Sequence, residues 1–338
     1  MKRSLLRPLS PLYTAAVAAR NAAYSRRWAN ARSLQWPVIS VGSIVAGGAG
    51  KTPLVIRLAQ LLRAEGFSVD VLSRGYGRSA DSVGRVKPDG SATEFGDEPI
   101  LIARDAGVPV YVGASRHAAG LVAEQEAENS RGIHLLDDGF QHRGLKRDLD
   151  IVLVSASDLN DTMLPAGNLR EPLSALERAG VLAIRDEEWL LEPMLRARGL
   201  TQPVWVIHRK VVCPTIGVRP LVFCGIARPE GLWNGIQPNC VEKGLKIAHF
   251  HPFPDHHFYT PADMRMLVGK AKEARADCFL TTEKDAVKLD GELRAHLEAF
   301  APLGIVQLAA TLNDEPAVIR SLISQANLLP DLTGRMRE

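Results

Sequence analysis

Lys51 and Thr52 end the run Gly-Gly-Ala-Gly-Lys-Thr at residues 47–52. An amino group and a hydroxyl placed directly after Gly47, Gly48, Ala49 and Gly50 are what a nucleoside triphosphate with a divalent cation requires. Backbone N–H groups at a helix start point at phosphate, and the helix dipole favours negative charge there. Lys51 then reaches the β- and γ-phosphates of ATP, and the Thr52 hydroxyl ligates Mg2+. The glycines let the backbone approach with no Cβ in the way. The usual pattern has a glycine where Val45 stands, and Gly42 is out of step with it. ATPases with a second, signature lysine would carry it where this chain has Ala46. The bland alternative is a flexible strand–helix turn.

Other side chains fit the same chemistry. Asp137 and Asp138 close the apolar run Ile-His-Leu-Leu, where sites collect in parallel sheets. One carboxylate can hold Mg2+ through water while the other orients a ligand or a basic side chain. Asp97, in Glu-Phe-Gly-Asp-Glu-Pro, is placed either to cap a helix or to accept a hydroxyl proton. Asp255, His256 and His257 lie in His-Pro-Phe-Pro-Asp-His-His-Phe-Tyr-Thr. Consecutive histidines rarely converge on one metal ion, so a histidine oriented by a carboxylate is the better reading. Arg74 and Arg78 flank two glycines in Ser-Arg-Gly-Tyr-Gly-Arg and can meet an anionic substrate. Arg170, beside Glu171 at a helix start, can clamp a phosphate. Thr282 and Asp285, in Thr-Thr-Glu-Lys-Asp-Ala-Val-Lys, suit a helix cap.

The elements that must position these groups alternate. Strands are expected within 37–43, 68–75, 109–113, 132–139 and 149–157, and helices at 51–66, 97–106 and 115–128. The strands are near-continuous apolar runs, which implies a mostly parallel sheet covered by helices on both faces, of the phosphate-loop NTPase type. Residues 206–220 read as extended connecting chain. Beyond them strands are expected at 220–227, 246–250, 277–283 and 304–310, and helices near 227–235, 261–275, 291–300 and 314–326. The organisation is then a basic N-terminal region, 1–33, a phosphate-loop domain, 34–208, and a smaller α/β domain, 209–338, that contributes to a cleft.

The chain has 338 residues, of which 46% are hydrophobic and 23% charged, ordinary for a globular protein. Its net charge of +3 is unevenly spread. Residues 1–64 hold ten basic and no acidic residues, which leaves 31 basic against 38 acidic beyond them. A basic end on an acidic body points to a local anionic partner. An amphipathic helix capped by Ser10, with Pro11 in its first turn, places Leu12, Ala16, Ala19 and Ala23 along one stripe. Arg20, Arg26, Arg27 and Trp28 follow, as in a helix lying on anionic lipid. The segment has few aromatics to stack on bases, which argues against nucleic acid. No apolar run is long enough to span a bilayer, and a cleaved signal is disfavoured by the short, alanine-rich apolar region. The four cysteines are widely spaced, frame no zinc site and fit free thiols.

Together, Gly-Gly-Ala-Gly-Lys-Thr-Pro, Leu-Ser-Arg-Gly-Tyr-Gly-Arg, Gly-Asp-Glu-Pro, Val-Gly-Ala-Ser-Arg, Leu-Asp-Asp-Gly-Phe-Gln-His-Arg, Leu-Arg-Glu-Pro, Asp-His-His and Thr-Thr-Glu-Lys-Asp-Ala-Val-Lys resemble one family in order along the chain. It is the tetraacyldisaccharide 4′-kinases, the lipid A 4′-kinases of Gram-negative bacteria. The resemblance implies transfer of the ATP γ-phosphate, with Mg2+, to the 4′-hydroxyl of an acylated glucosamine disaccharide 1-phosphate. It implies a peripheral protein on the cytoplasmic face of the inner membrane, and it does not call for a protein partner. It assigns Lys51 and Thr52 to phosphate and Mg2+, Asp137 and Asp138 to the metal pair, and Arg170 and Glu171 to the site. Asp97 corresponds to the general base. The catalytic histidine follows an Asp, which points to His256, with His257 as the alternative. Two rivals remain: a kinase of water-soluble sugars or nucleosides, and a nucleotide switch or metal-delivery ATPase of the same loop type.

Overall fold

Alternate residues of short apolar runs enter opposite layers, and this sets the architecture. The computed structural model describes residues 3–26, 28–78, 82–127 and 131–326. Lys2, Arg27, the end of the helix expected at 115–128 and the end of the expected second domain lie outside them. The strands are β1 Val38–Ser43, β2 Ser68–Ser73, β3 Gly84–Arg85, β4 Val110–Val112, β5 Gly132–Asp137, β6 Leu149–Leu153, β7 Val181–Arg185, β8 Val204–Val212, β9 Pro220–Cys224, β10 His249–Pro252, β11 Cys278–Thr282 and β12 Leu303–Leu312. The helices are α1 Ser10–Ser25, α2 Lys51–Ala64, α3 Ala92–Phe95, α4 Asp97–Asp105, α5 Arg116–Glu126, α6 Leu191–Arg196, α7 Pro229–Glu242, α8 Pro261–Ala274, α9 Glu283–Ala286, α10 Gly291–Glu298 and α11 Glu315–Gln325.

The strand order is β10-β9-β11-β12-β8-β7-β6-β1-β5-β2-β4-β3. Pairing is parallel except at β3–β4 and β8–β12. On one face Ile39, Val41, Val71 and Leu135 pack against Leu54, Leu58 and Leu62 of α2. On the other, Val38, Leu72 and Leu136 meet Ala119 and Ala123 of α5. Each large side chain so buried contributes about 1.5–3 kcal/mol of transfer free energy. The second half repeats the plan, with α8 and α10 on one side of β9 and β11 and α7 on the other.

β12 joins the halves. Its Leu303–Val306 pair in parallel with β11, and its Gln307–Leu312 run antiparallel to β8. This hand-over lets the C-terminal ends of both strand sets face one cleft. Two expectations change here. The first half of the stretch expected as connecting chain is the inner strand β8, so position 208/209 falls within a strand. Its partner lies about a hundred residues downstream, and such pairing leaves no local signature. The strand expected at 246–250 forms at His249–Pro252, although Lys246 and Ala248 already bond to Val218 and Pro220. Helix α11 returns to the first half, where Val318, Ile319 and Leu322 share the α2 core and Glu315 pairs with Arg57.

Candidate active site

β1 ends at Ser43, and the turn into α2 is as open as the glycines imply. Gly47, Gly48 and Gly50 have φ of 71°, 58° and 84°, where side chains are strained. Gly50 precedes α2 with no side chain capping it, so the first amides of the helix remain free for an anion. Segment 168–170 braces the turn: Ala46 N–H donates to the Asn168 carbonyl (2.8 Å) and Arg170 N–H to the Ile44 carbonyl (2.7 Å). Gly42 serves packing instead, because a Cβ there would lie 2.5 Å from Phe140 Cβ.

The bracing brings Arg170 over the end of β5. Its Nη1 donates to Asp138 Oδ2 at 2.8 Å, while Lys51 Nζ lies 3.2 Å from Asp138 Oδ1. Burial opposes the Asp138 charge, but Lys51 and Arg170 overcome it and hold the carboxyl below its ordinary range. Asp137 differs. The Ser73 hydroxyl donates to its Oδ2 at 3.0 Å, and its Oδ1 is buried without a hydrogen-bond partner. Burial, then the charges of Glu98 and Asp138, push its carboxyl up to about 7. An orphaned oxygen beside Asp138 and the phosphate turn fits a cation's hydration shell. Among the described residues no cluster of three or more His, Cys, Asp or Glu forms a metal cage. Mg2+ does not need one, since it takes one or two carboxylates and leaves other positions to water and phosphate.

The second half closes the cleft. The segment after β9 lies over the phosphate turn, so that a Cβ at Gly48 would sit 3.0 Å from Arg228 Cγ. The loop after β10 carries His256, whose Nδ1 is 3.1 Å from Asp97 Oδ2. Asp97 opens α4 and is buried, with Oδ1 accepting from Glu98 N–H at 2.9 Å. Burial disfavours its charge, yet the His256 hydrogen bond and the charges of Lys284, His256 and Lys288 hold the carboxyl below the usual range. The hydrogen bond to Asp97 raises His256, against burial and Lys284. The Tyr76 ring stands 5.2 Å from the imidazole. His257 instead turns to Asp263 (3.2 Å) and stacks on Phe253.

The family model for tetraacyldisaccharide-1-P 4′-kinase matches residues 2–327. A tetraacyldisaccharide 4′-kinase of Koribacter versatilis is 41% identical over 94% of this chain and 98% of its own length. One of Geobacter sulfurreducens is 36% identical over 89% and 90%. The crystal structure of LpxK from Aquifex aeolicus, described as an "apo" form in complex with ATP, superposes with a TM-score of 0.73 at 31% identity, covering 96% of this chain and 99% of that one. The chain belongs to the tetraacyldisaccharide 4′-kinase family.

It is a kinase of lipid A biosynthesis with a phosphate-loop NTPase-like α/β fold. Within this family member, Glu171 stands one residue from Arg170 but serves other groups. Fully buried, it accepts from Asn21 Nδ2 of α1 (2.7 Å) and Gln141 Nε2 (3.2 Å), and pairs with Arg178 (2.9 Å). Gln141 Oε1 accepts from Arg170 at 3.2 Å and so links the two neighbours. Helix α1 is tied to the same region, with Tyr13 Oη donating to the Arg170 carbonyl at 3.2 Å. Ser10 does not cap α1; it is the first helical residue, and its hydroxyl donates to the Met163 carbonyl at 3.0 Å.

Sequence reasoning gave no role to Arg116, His142 or Lys284. Arg116 is buried, its Nε lacks a partner, and burial with the charge of Arg74 lowers it to about 10. Burial with Arg116, Arg147 and Arg74 pushes His142 down to about 4. This crowd of cations borders Asp137 and Asp138. Lys284 pairs with Glu98 at 2.9 Å, and burial is outweighed by Glu98 and Asp97, which raise it to about 12. Their signal was present in the family-like motifs, but nothing local in those motifs assigns a task.

Proposed function

We propose that the chain transfers the γ-phosphate of ATP to the 4′-hydroxyl of an acylated glucosamine disaccharide 1-phosphate, with Asp97 accepting the hydroxyl proton. One observation carries this assignment: a buried carboxylate and a histidine from opposite halves meet beside an uncapped phosphate turn. The 4′-oxygen bonds to the γ-phosphorus, the bond from that phosphorus to the bridging oxygen breaks, and ADP leaves with the electron pair. The proton goes to Asp97, which its depressed affinity for protons keeps ionised at neutral pH. His256 orients the carboxylate. Lys51 and the amides of residues 47–52 hold the phosphates, so positioning and charge neutralisation supply most of the rate.

Thr52, Asp137 and Asp138 would hold Mg2+, which when bound neutralises charge on the transferred group. Arg170 sits where it can clamp phosphate, and Glu171 serves the site by fixing Gln141 and α1 around it. The crowded arginines Arg74 and Arg116, beside a His142 that they and burial keep neutral, suit an anionic acceptor.

The acceptor is a lipid, and α1 suits a membrane surface. Leu12 is 72% and Trp28 74% exposed, with Arg20 and Arg26 nearby in the chain. Among the described residues no helix is long and apolar enough to cross a membrane. Attachment is then peripheral, on the cytoplasmic face where ATP is available.

Two measurements test this reading. Asp97→Asn should lower kcat by about 10²–10⁴-fold while calorimetric Mg-ATP binding persists; near-normal turnover rejects the base. Leu12→Asp combined with Trp28→Asp should weaken co-sedimentation with anionic vesicles and leave ATP affinity alone. Unchanged sedimentation rejects α1 as the docking element.

A further inference from the structure

The motif Thr-Thr-Glu-Lys-Asp-Ala-Val-Lys, 281–288, contains more than a helix cap. Thr282 does cap α9, accepting from Asp285 N–H at 3.1 Å. The Asp285 side chain then continues inward. It is fully buried, as is nearly all of Lys288, and the two lie 2.7 Å apart. A buried ion pair gains little net stability over apolar side chains of the same volume. Its worth here is geometric. Asp285 Oδ2 accepts from Gly225 N–H at 3.0 Å, and Lys288 Nζ donates to the Gly225 carbonyl at 3.4 Å. The same carbonyl accepts from His256 N–H at 3.2 Å.

We propose that the buried Asp285–Lys288 pair positions His256, acting through Gly225. The deduction rests on the reading of Asp97 and His256 given above. His256 has φ of 56°, a left-handed conformation in which a side chain crowds its own backbone. Such a conformation persists only where its surroundings over-determine it. The Gly225 carbonyl supplies one restraint and Asp255 Oδ1, accepting from His256 N–H at 3.1 Å, another. Gly225 has little room for a side chain. A Cβ on it would meet His257 Cβ at 3.1 Å, the Pro254 carbonyl at 3.1 Å and Asp285 Oδ1 at 3.2 Å. The second half therefore delivers its histidine to Asp97 from a peptide gripped on both sides by opposite charges. The groups facing the imidazole are Asp97, Asp255, Lys284 and the Tyr76 ring.

The test uses the full chain with Gly225→Ala, and with Asp285→Asn/Lys288→Met as a second variant that leaves no unpaired buried charge. Expected are a kcat loss of about 10–100-fold, as for a misplacement near 1 Å, and an ATP affinity within about twofold of the parent. The NMR titration midpoint of His256 should also fall toward that of an ordinary histidine as its hold on Asp97 loosens. Leu297→Ala, a core change remote from the dyad, should lower the melting temperature without moving that midpoint. If both folded variants keep normal kcat and an unmoved His256 midpoint, the positioning role is wrong. If Asp97→Asn itself turns over normally, the dyad reading fails first. An inactive Asp97→Asn beside a normal Gly225→Ala overturns only the positioning role.

Discussion

Strand β5 carries two fully buried ionisable residues, His134 near its start and Asp137 at its end, and they are treated in opposite ways. His134 is matched on both ring nitrogens. Nδ1 lies 2.7 Å from Asp70 Oδ1 and Nε2 3.3 Å from Glu124 Oε1, while Trp36 stacks on the ring at 5.0 Å. Glu124 also accepts from the backbone N–H of Gln35 and Trp36, which moors the segment leading into β1. Asp137 has one bonded oxygen and one orphan. A buried charge whose partners are all internal belongs to the scaffold; one left short is an opening for a ligand. The contrast follows strand direction, because the C-terminal ends of parallel strands face the cleft.

The largest effect should come from breaking the open end. Asp137→Asn is expected to reduce kcat on the order of 10³-fold, the several kcal/mol of a lost charge-neutralising site. The same change should leave the melting temperature equal or higher, because it removes a buried, poorly compensated charge. A variant that is active, or clearly less stable, would place Asp137 with the scaffold and erase the distinction between the ends of β5.

Much of this site could be read from the chain because its groups are local. Residues 47–52 and the pair Asp137–Asp138 each lie within a few residues, next to apolar runs that mark strands. Asp97 and His256 are 159 residues apart, and only family resemblance joined them. Three features escaped for a common reason, that each depends on partners distant in sequence. β8 needs β12, Glu171 is directed by Asn21 and Arg178, and Ser10 is claimed by Met163 in place of its own helix. The Asp70–His134–Glu124 cluster was invisible for another reason. Lone polar residues inside apolar strands carry no pattern, and their pairing appears only when β2, β5 and α5 are packed.

The closed end gives the smaller effects. His134→Gln leaves Asp70 and Glu124 buried without their cation and should cost about 3 kcal/mol of stability, read from denaturant unfolding. Mg-ATP binding by the folded fraction should be unchanged, unlike at Asp137. The parent should also show a pH signature that the variant lacks. Burial works against the His134 imidazolium, but the hydrogen bonds and charges of Asp70 and Glu124 raise it to about 9. A histidine raised above its unfolded value contributes stability that is complete below about pH 6.5 and is lost as pH climbs through the folded value. Between those limits the unfolding free energy should fall by up to about 1 kcal/mol per pH unit from this residue. Burial raises the Asp70 carboxyl against its bond to His134, and Glu124 is held low against burial by His134 and by the Trp36 and Gln35 amides. The difference between parent and His134→Gln curves should therefore shrink steadily from pH 6.5 to 9. Parallel curves across that range would mean the imidazole is neutral in the fold, and the two ends of β5 would no longer differ in whether their charges are balanced.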